Sequence, residues 1–246
     1  MSQHVETESE TFVLRGLSWD QYLAVLDVLG HHRLRHCFAD GEMELWRTIY
    51  DVTWQEYVAF LEVLGDVSCR HQYANGTLEM MSPRKDHDWM KRFLGRIVEH
   101  VSMEFDIDIQ CIGSTTITSA VVERGFQPDE AYYIANEPRV RGKDLFEPDV
   151  DPPPDLLIEV DVTSSSASRL PSFAAMGVPE VWRLVDHVVE FLRLQPDGHY
   201  ASHSTSASFP MLTTDDVHES FEKLATQTEN RVLRDLVAKL RVKNDQ

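Results

Sequence analysis

Residues 153 to 162 read Pro153-Pro154-Asp155-Leu156-Leu157-Ile158-Glu159-Val160-Asp161-Val162, carboxylates alternating with branched apolar residues at a period of two. Successive side chains of a strand point to opposite faces, so Asp155, Leu157, Glu159 and Asp161 share one side and Leu156, Ile158, Val160 and Val162 the other. The apolar side marks an interior strand. Three carboxylates on its other side are unfavourable unless compensated, because burial penalises the charged form and like charges repel. A hard divalent cation is the simplest compensation.

Working outward, 246 residues suffice for one substantial core with an appendage. The formal net charge of −18 argues against broad attraction to nucleic acid or anionic membrane, so any polyanion site must be local. No apolar run approaches 18 residues and no basic-then-apolar leader opens the chain. The three cysteines, Cys37, Cys69 and Cys111, have neither a disulfide-framework nor a zinc spacing. These features predict a cytoplasmic protein with reduced thiols and no membrane span.

The N-terminal third is internally duplicated. Leu17-Ser-Trp-Asp-Gln-Tyr-Leu-Ala-Val-Leu-Asp-Val-Leu-Gly30 is echoed thirty-five residues later by Val52-Thr-Trp-Gln-Glu-Tyr-Val-Ala-Phe-Leu-Glu-Val-Leu-Gly65, and Arg35-His36-Cys37-Phe38-Ala39-Asp40-Gly41 by Arg70-His71-Gln72-Tyr73-Ala74-Asn75-Gly76. Each copy opens on a capping box, Ser18 with Gln21 and Thr53 with Glu56. Each helix is expected to stop at a glycine, Gly30 or Gly65, in the left-handed C′ position. Asp40-Gly41 and Asn75-Gly76 suit two-residue hairpin turns. Each unit is therefore a helix plus a β-hairpin, and two copies are too few for a solenoid.

Farther on, Trp89, Met90, Phe93, Leu94, Ile97, Val98 and Val101 predict an amphipathic helix over about 87–105. Strands are expected at 107–112, 115–122, 129–134, 180–185 and 188–194. The Pro- and Arg-containing stretch 135–154 reads as an irregular excursion, 163–168 as a hydroxyl-rich loop before a short helix ending at Ala175, and 217–241 as one closing helix.

Thr53-Trp-Gln-Glu-Tyr57, Gly76-Thr-Leu-Glu-Met-Met-Ser-Pro83 with His87 after it, Gln127-Pro-Asp129, Pro154-Asp-Leu-Leu-Ile-Glu-Val160 and Gly177-Val-Pro-Glu-Val-Trp182 together resemble the Uma-two family of restriction-endonuclease-like proteins, in the PD-(D/E)xK nuclease-like superfamily. The resemblance covers about residues 50 to 195 and, more loosely, the terminal helix. It implies an α/β, restriction-endonuclease-like fold: a mixed central sheet flanked by helices, here with a duplicated N-terminal helix plus β-hairpin. Residues 1–50 would form the extra copy and 51–246 the endonuclease-like domain.

The resemblance also implies a chemistry. Asp129 matches the aspartate of the "PD" element and Glu159 the acid of the central strand, which in such nucleases jointly hold Mg2+ or Mn2+ for hydrolysis of DNA phosphodiester bonds. Carboxylate oxygens suit those hard ions, which polarise phosphate and acidify an attacking water. Taken as residues alone, Asp129 reads equally as a metal ligand or as a salt-bridged or surface group, whereas the place of Glu159 between Ile158 and Val160 favours the metal role. The superfamily's lysine, two residues after the strand acid, is Asp161 here. Asp161 reads either as a third metal ligand or as a mark of lost catalysis. Arg169, on the following helix, can supply the missing cation but, staying protonated, not a general base; Lys143 in the Arg141-Gly142-Lys143-Asp144 loop is a second candidate. The family's acid in the hairpin is replaced by Gln72, and by Cys37 in the extra copy. Asp155 lies too near the strand entrance to share an ion, and His87 could reach the site or merely cap its helix.

Other chemistries fit poorly. His31-His32 and His199/His203 lack the further ligands a zinc site needs, and Ser164-Ser165-Ser166 has no nucleophile-elbow glycines. The expectation is a metal-dependent endonuclease acting on DNA. Its alternatives are a catalytically silent endonuclease-like binding or scaffold protein, with a homodimer left open, or a hydrolase of smaller phosphoesters.

Overall fold

The computed structural model describes residues 11–32, 36–67, 69–81, 85–143, 146–161, 166–185 and 188–244. In chain order these form β1 (Thr11–Arg15), α1 (Trp19–Leu29), a 3-10 turn (Gly30–His32), β2 (His36–Ala39), β3 (Glu42–Trp46), β4 (Thr48–Ile49), α2 (Trp54–Leu64), β5 (Arg70–Ala74), β6 (Thr77–Met81), α3 (Lys85–Glu104), β7 (Gln110–Gly113) and β8 (Ile117–Ser119). There follow β9 (Arg124–Phe126), β10 (Glu130–Tyr133), α4 (Glu137–Val140), β11 (Leu156–Asp161), a 3-10 turn (Ser166–Ser168), α5 (Leu170–Ala175), β12 (Glu180–Val185), β13 (Val188–Leu194), β14 (Tyr200–His203), α6 (Thr214–Lys223) and α7 (Glu229–Asn244). The chain divides into two compact units, Met1–Pro83 with Glu123–Phe126, and Arg84–Val122 with Gln127–Gln246. The repeat boundary near residue 50 therefore lies inside the first unit, which holds both copies.

The first unit repeats its hydrogen bonds as well as its sequence. Both capping boxes are closed, Ser18 with Gln21 and Thr53 with Glu56. Both hairpins turn on a pair of positive-φ residues, Asp40-Gly41 and Asn75-Gly76. The amide of Leu17 donates to Gly41 O at 3.0 Å and that of Val52 to Gly76 O at 2.9 Å. The repeat starts earlier than the sequence reading placed it: β1 pairs with β3 (Leu14 opposite Met43) as β4 pairs with β6 (Ile49 opposite Leu78). Tyr22 stacks on Phe38 and Tyr57 on Tyr73, at ring separations of 4.5 and 4.7 Å. Leu14, Leu17, Leu29 and Met43 share one buried core with Ile49, Val52, Leu64 and Leu78.

Two differences separate the copies. Gly65 takes the positive φ expected of it (52°) but with ψ at −116°, outside the left-handed helical region, whereas Gly30 stays right-handed (φ −64°), correcting the expectation of a left-handed cap. The chain instead runs on as a 3-10 turn through His31 and His32. In addition β5 gains β9 as a second neighbour, with Gly125 opposite Tyr73; β2 is an edge strand of its own sheet.

The second unit carries the acidic strand at the middle of a six-stranded sheet ordered β14-β13-β12-β11-β10-β7. The sheet is mixed: β11 runs parallel to β12, and the other neighbours are antiparallel. Leu156, Ile158 and Val160 of β11, with Trp182 and Leu184 of β12, join Phe93, Leu94, Ile97 and Val98 of α3, Val217 of α6 and Val232, Leu233 and Leu236 of α7 in one buried cluster. That packing uses the strand's even-numbered face and accounts for the helical spacing read in α3.

Several elements differ from the sequence reading. The closing helix is two helices, α6 and α7. Lys223 to Thr228 turns the chain through 3-10-like bonds such as Leu224 N to Phe221 O at 3.2 Å, so both halves present their apolar stripe to the same core. The excursion over 135–154 contains α4, and β14 adds an edge strand. Val162 of the expected strand, residues 163–165 of the expected loop and the side chain of His87 lie outside what is described. No helix among the described residues is long and apolar enough to cross a membrane, and the three cysteines are thiols.

Candidate active site

The antiparallel pairing of β10 with β11 sets Glu130 opposite Ile158 and Ala131 opposite Leu157. One further step of that register brings Asp129 level with Glu159. The contact is made: Asp129 Oδ2 accepts the Val160 amide at 2.8 Å. Asp129 and Glu159, thirty residues apart in sequence, thus lie on one face of one strand pair, Asp129 4% exposed and Glu159 wholly buried. Neutralisation comes from Arg169, which stands at the N-cap of α5 and donates through Nη2 to Glu159 Oε2. Its guanidinium also lies 5.6 Å from the Phe173 ring centre and donates to Gln127 O at 3.5 Å. With side-chain exposures of 4% and 0%, Arg169 and Glu159 are a buried ion pair. Buried charges persist only when paired in this way.

Asp161, two residues along the same face, has its own cation. The parallel register of β11 with β12 sets Arg183 beside Glu159, and Arg183 Nε donates to Asp161 Oδ2 at 2.8 Å while Nη1 reaches Glu190 Oε2 at 3.3 Å. Arg183 escaped the sequence reading; the available signal was a charged residue in the interior of a strand otherwise reading Val181, Trp182, Leu184, Val185. The face is therefore a row of acids interleaved with two arginines.

The remaining candidates lie elsewhere in function. Lys143 pairs with Asp151 at 2.5 Å and Glu147 at 3.5 Å and lines a hollow of about 250 Å³ with Cys111, Tyr133 and Asp151. Asp155 is a structural anchor: Oδ2 accepts the amides of Ile134 (2.7 Å) and Asn136 (2.9 Å), and Oδ1 the Asn136 side chain (2.8 Å). At the position of the family's hairpin acid, Gln72 is buried and Cys37 exposed, and neither is a carboxylate. A cleft bearing Lys91, Arg92 and Arg96 of α3 lies over Glu130 and Tyr132, which lie on the face of β10 opposite to that of Asp129 and Ala131.

Residues 54–227 match the model of the family Uma2, described as "Putative restriction endonuclease". The chain belongs to that family. The matched segment includes Asp129, Glu159, Asp161, Arg169 and Arg183, so the acidic face sits wholly inside the family core. The fold is also similar to the crystal structure of a "putative nuclease belonging to DUF820" from Anabaena variabilis ATCC 29413, at a TM-score of 0.50 and 16% identity, covering 68% of this chain and 98% of that one. A search of curated proteins found no match.

Whether this Uma2 face suits a divalent ion is a question of donors. Two carboxylates facing one another across a strand pair are the kind of set that holds Mg2+ or Mn2+ together with waters. Asp129 and Glu159 provide it. Asp129 accepts the Val160 amide and Glu159 accepts from Arg169, so these two acids would hold an ion in competition with those contacts. The donors fit; the burial means that the pair must open to admit solvent.

Proposed function

We propose that the chain is a metal-dependent nuclease that hydrolyses DNA phosphodiester bonds, with Asp129 and Glu159 as the ligands of Mg2+ or Mn2+ and Asp161 as a further acid of the same face. When bound, such an ion polarises the phosphate and acidifies an attacking water. The observation that carries the reading is the convergence of Asp129, Glu159 and Arg169 from three separate elements onto one face of β10 and β11. Arg169 offers five N–H donors and stays protonated, so it serves the negative charge that develops on the phosphoryl oxygens and takes no proton. It is the better phosphate contact than Lys143 because it touches Glu159 itself, whereas Lys143 lines a separate hollow with Cys111 and Tyr133. Arg183 holds Asp161 in line with the strand and balances a charge that would otherwise repel Glu159. Because the whole chain is strongly acidic, DNA must be gripped locally, and binding should weaken steeply with salt.

The test is cleavage of supercoiled plasmid by the full chain with millimolar Mg2+ or Mn2+, against Glu159→Gln and Asp129→Asn. Nicking by the wild type that both variants lose supports the proposal; nicking that survives in both rejects the assigned site. A second reading, a catalytically silent nuclease-like binding protein, is favoured by one observation: Glu159 and Arg169 are both almost fully buried in their pairing. It predicts no cleavage by the wild type with either ion, and a melting temperature indifferent to manganese.

A further inference from the structure

Glu56 occupies the third position of α2, where its Oε2 accepts the Thr53 amide at 2.6 Å to close the capping box. The same carboxylate meets two imidazoles. His31 Nε2 lies 2.6 Å from Oε1 and His32 Nε2 lies 3.2 Å from Oε2, with the two rings 4.0 Å apart. One ligand atom from each residue lies within 4.8 Å of the others, the one such group of His, Cys, Asp or Glu among the described residues. This corrects the expectation that His31-His32 lacks a third ligand. Glu56 comes from the other copy, twenty-four residues on from His32, and only the pairing of the two helices brings it there.

We propose that His31, His32 and Glu56 bind one Zn2+ ion, with a water completing a tetrahedron. Two imidazoles and a carboxylate are a donor set zinc takes, and three protein ligands leave it an open position. The set has the supports that a metal site needs. Glu56 is oriented by the Thr53 amide, as ligating carboxylates are by outer hydrogen bonds. His32 is 8% exposed and pre-positioned, while His31, at 57%, leaves a flank open to water. Each Nε2 already faces a Glu56 oxygen, so an ion would replace the hydrogen bonded between them, and binding should weaken as pH falls.

The duplication supplies an internal comparison. The positions equivalent to Glu56, His31 and His32 are Gln21, Asp66 and Val67. There Gln21 closes the same capping box but turns its amide to the carbonyls of Val63 (3.1 Å) and Leu64 (3.4 Å). One of two equivalent helix junctions has thus acquired a zinc donor set and the other a neutral hydrogen-bonded contact. The right-handed Gly30, which lets the chain run on through His31 and His32, is the backbone change that goes with it.

The experiment is a zinc titration of the full chain, chelator-treated and carrying no polyhistidine tag, by calorimetry, with Co2+ absorption as a probe of tetrahedral coordination. One zinc per chain at micromolar or tighter Kd is expected. Glu56→Gln, which copies Gln21 and so keeps the capping box, should weaken binding at least tenfold, as should His31→Ala and His32→Ala, with unchanged circular dichroism. Glu159→Gln should bind zinc as the wild type does, which separates this site from the nuclease proposal. No stoichiometric zinc in the wild type, or equal affinity in Glu56→Gln and both histidine variants, overturns the assignment.

Discussion

Replacing Arg169 with alanine tests the account where it is most exposed to refutation. Its guanidinium is 4% exposed and its partner Glu159 is wholly buried, so the substitution removes a neutralising cation from a carboxylate in the interior. Breaking a buried pair by removing one partner costs about 3–5 kcal/mol. The packing of the guanidinium beside Phe173 is lost as well. At roughly 2–4 °C per kcal/mol for a chain of this size, the melting temperature should fall by about 6–20 °C. Differential scanning calorimetry at low salt reads this directly, and the second unit's transition is the one to follow. The double variant Arg169→Gln/Glu159→Gln removes both charges and should recover at least half of the loss, since two neutral amides can bond to each other. A loss below about 1 kcal/mol in Arg169→Ala, or a double variant as unstable as the sum of the singles, would refute the claim that Arg169 neutralises this face.

Two other expectations follow from the geometry. Gly125→Ala would place a methyl 2.6 Å from ring carbons Cε1 and Cζ of Tyr57, a ring that is fully buried, stacked on Tyr73 and hydrogen-bonded to His71 at 3.1 Å; urea denaturation should register a loss of about 2–3 kcal/mol. In α6, burial pushes the Asp216 carboxyl up, but Lys239, Lys243 and Thr213 outweigh it and hold it at about 2. A depressed folded value stabilises above the ordinary carboxylate range and is lost as pH falls through about 2. Roughly 2 kcal/mol should therefore vanish between about pH 4 and 2, and Lys239→Ala/Lys243→Ala should flatten that part of the stability profile.

What could be read from the sequence was what local chemistry dictates. Capping boxes, Asp-Gly and Asn-Gly turns and the period-two acids of β11 each specify their own backbone within a few residues, and all of them stand in the fold. The thirty-five-residue echo carried over to hydrogen bonds as fine as Leu17 to Gly41 and Val52 to Gly76. What could not be read depended on packing between distant segments. Gly30 and Gly65 are the same residue in the same frame, yet only Gly65 takes a positive φ, while the chain after Gly30 continues to meet Glu56. Arg183 was passed over because nothing in 180–185 says that β12 lies parallel to β11 in the register that meets Asp161. Arg169 was legible as a candidate cation, but its burial against Glu159 was not. The break between α6 and α7 was hidden by an apolar spacing that both halves share.

Manganese binding tests the central claim most directly. In a Glu56→Gln background, which removes the other candidate metal site, electron paramagnetic resonance or calorimetry should detect Mn2+ bound by the chain. That binding should raise the melting temperature in proportion to the logarithm of its concentration. Adding Glu159→Gln or Asp129→Asn should abolish both signals. Manganese bound equally well by the Glu159 and Asp129 variants, or bound by none of the three proteins, would contradict the assignment of these two acids as the ligands of a catalytic ion.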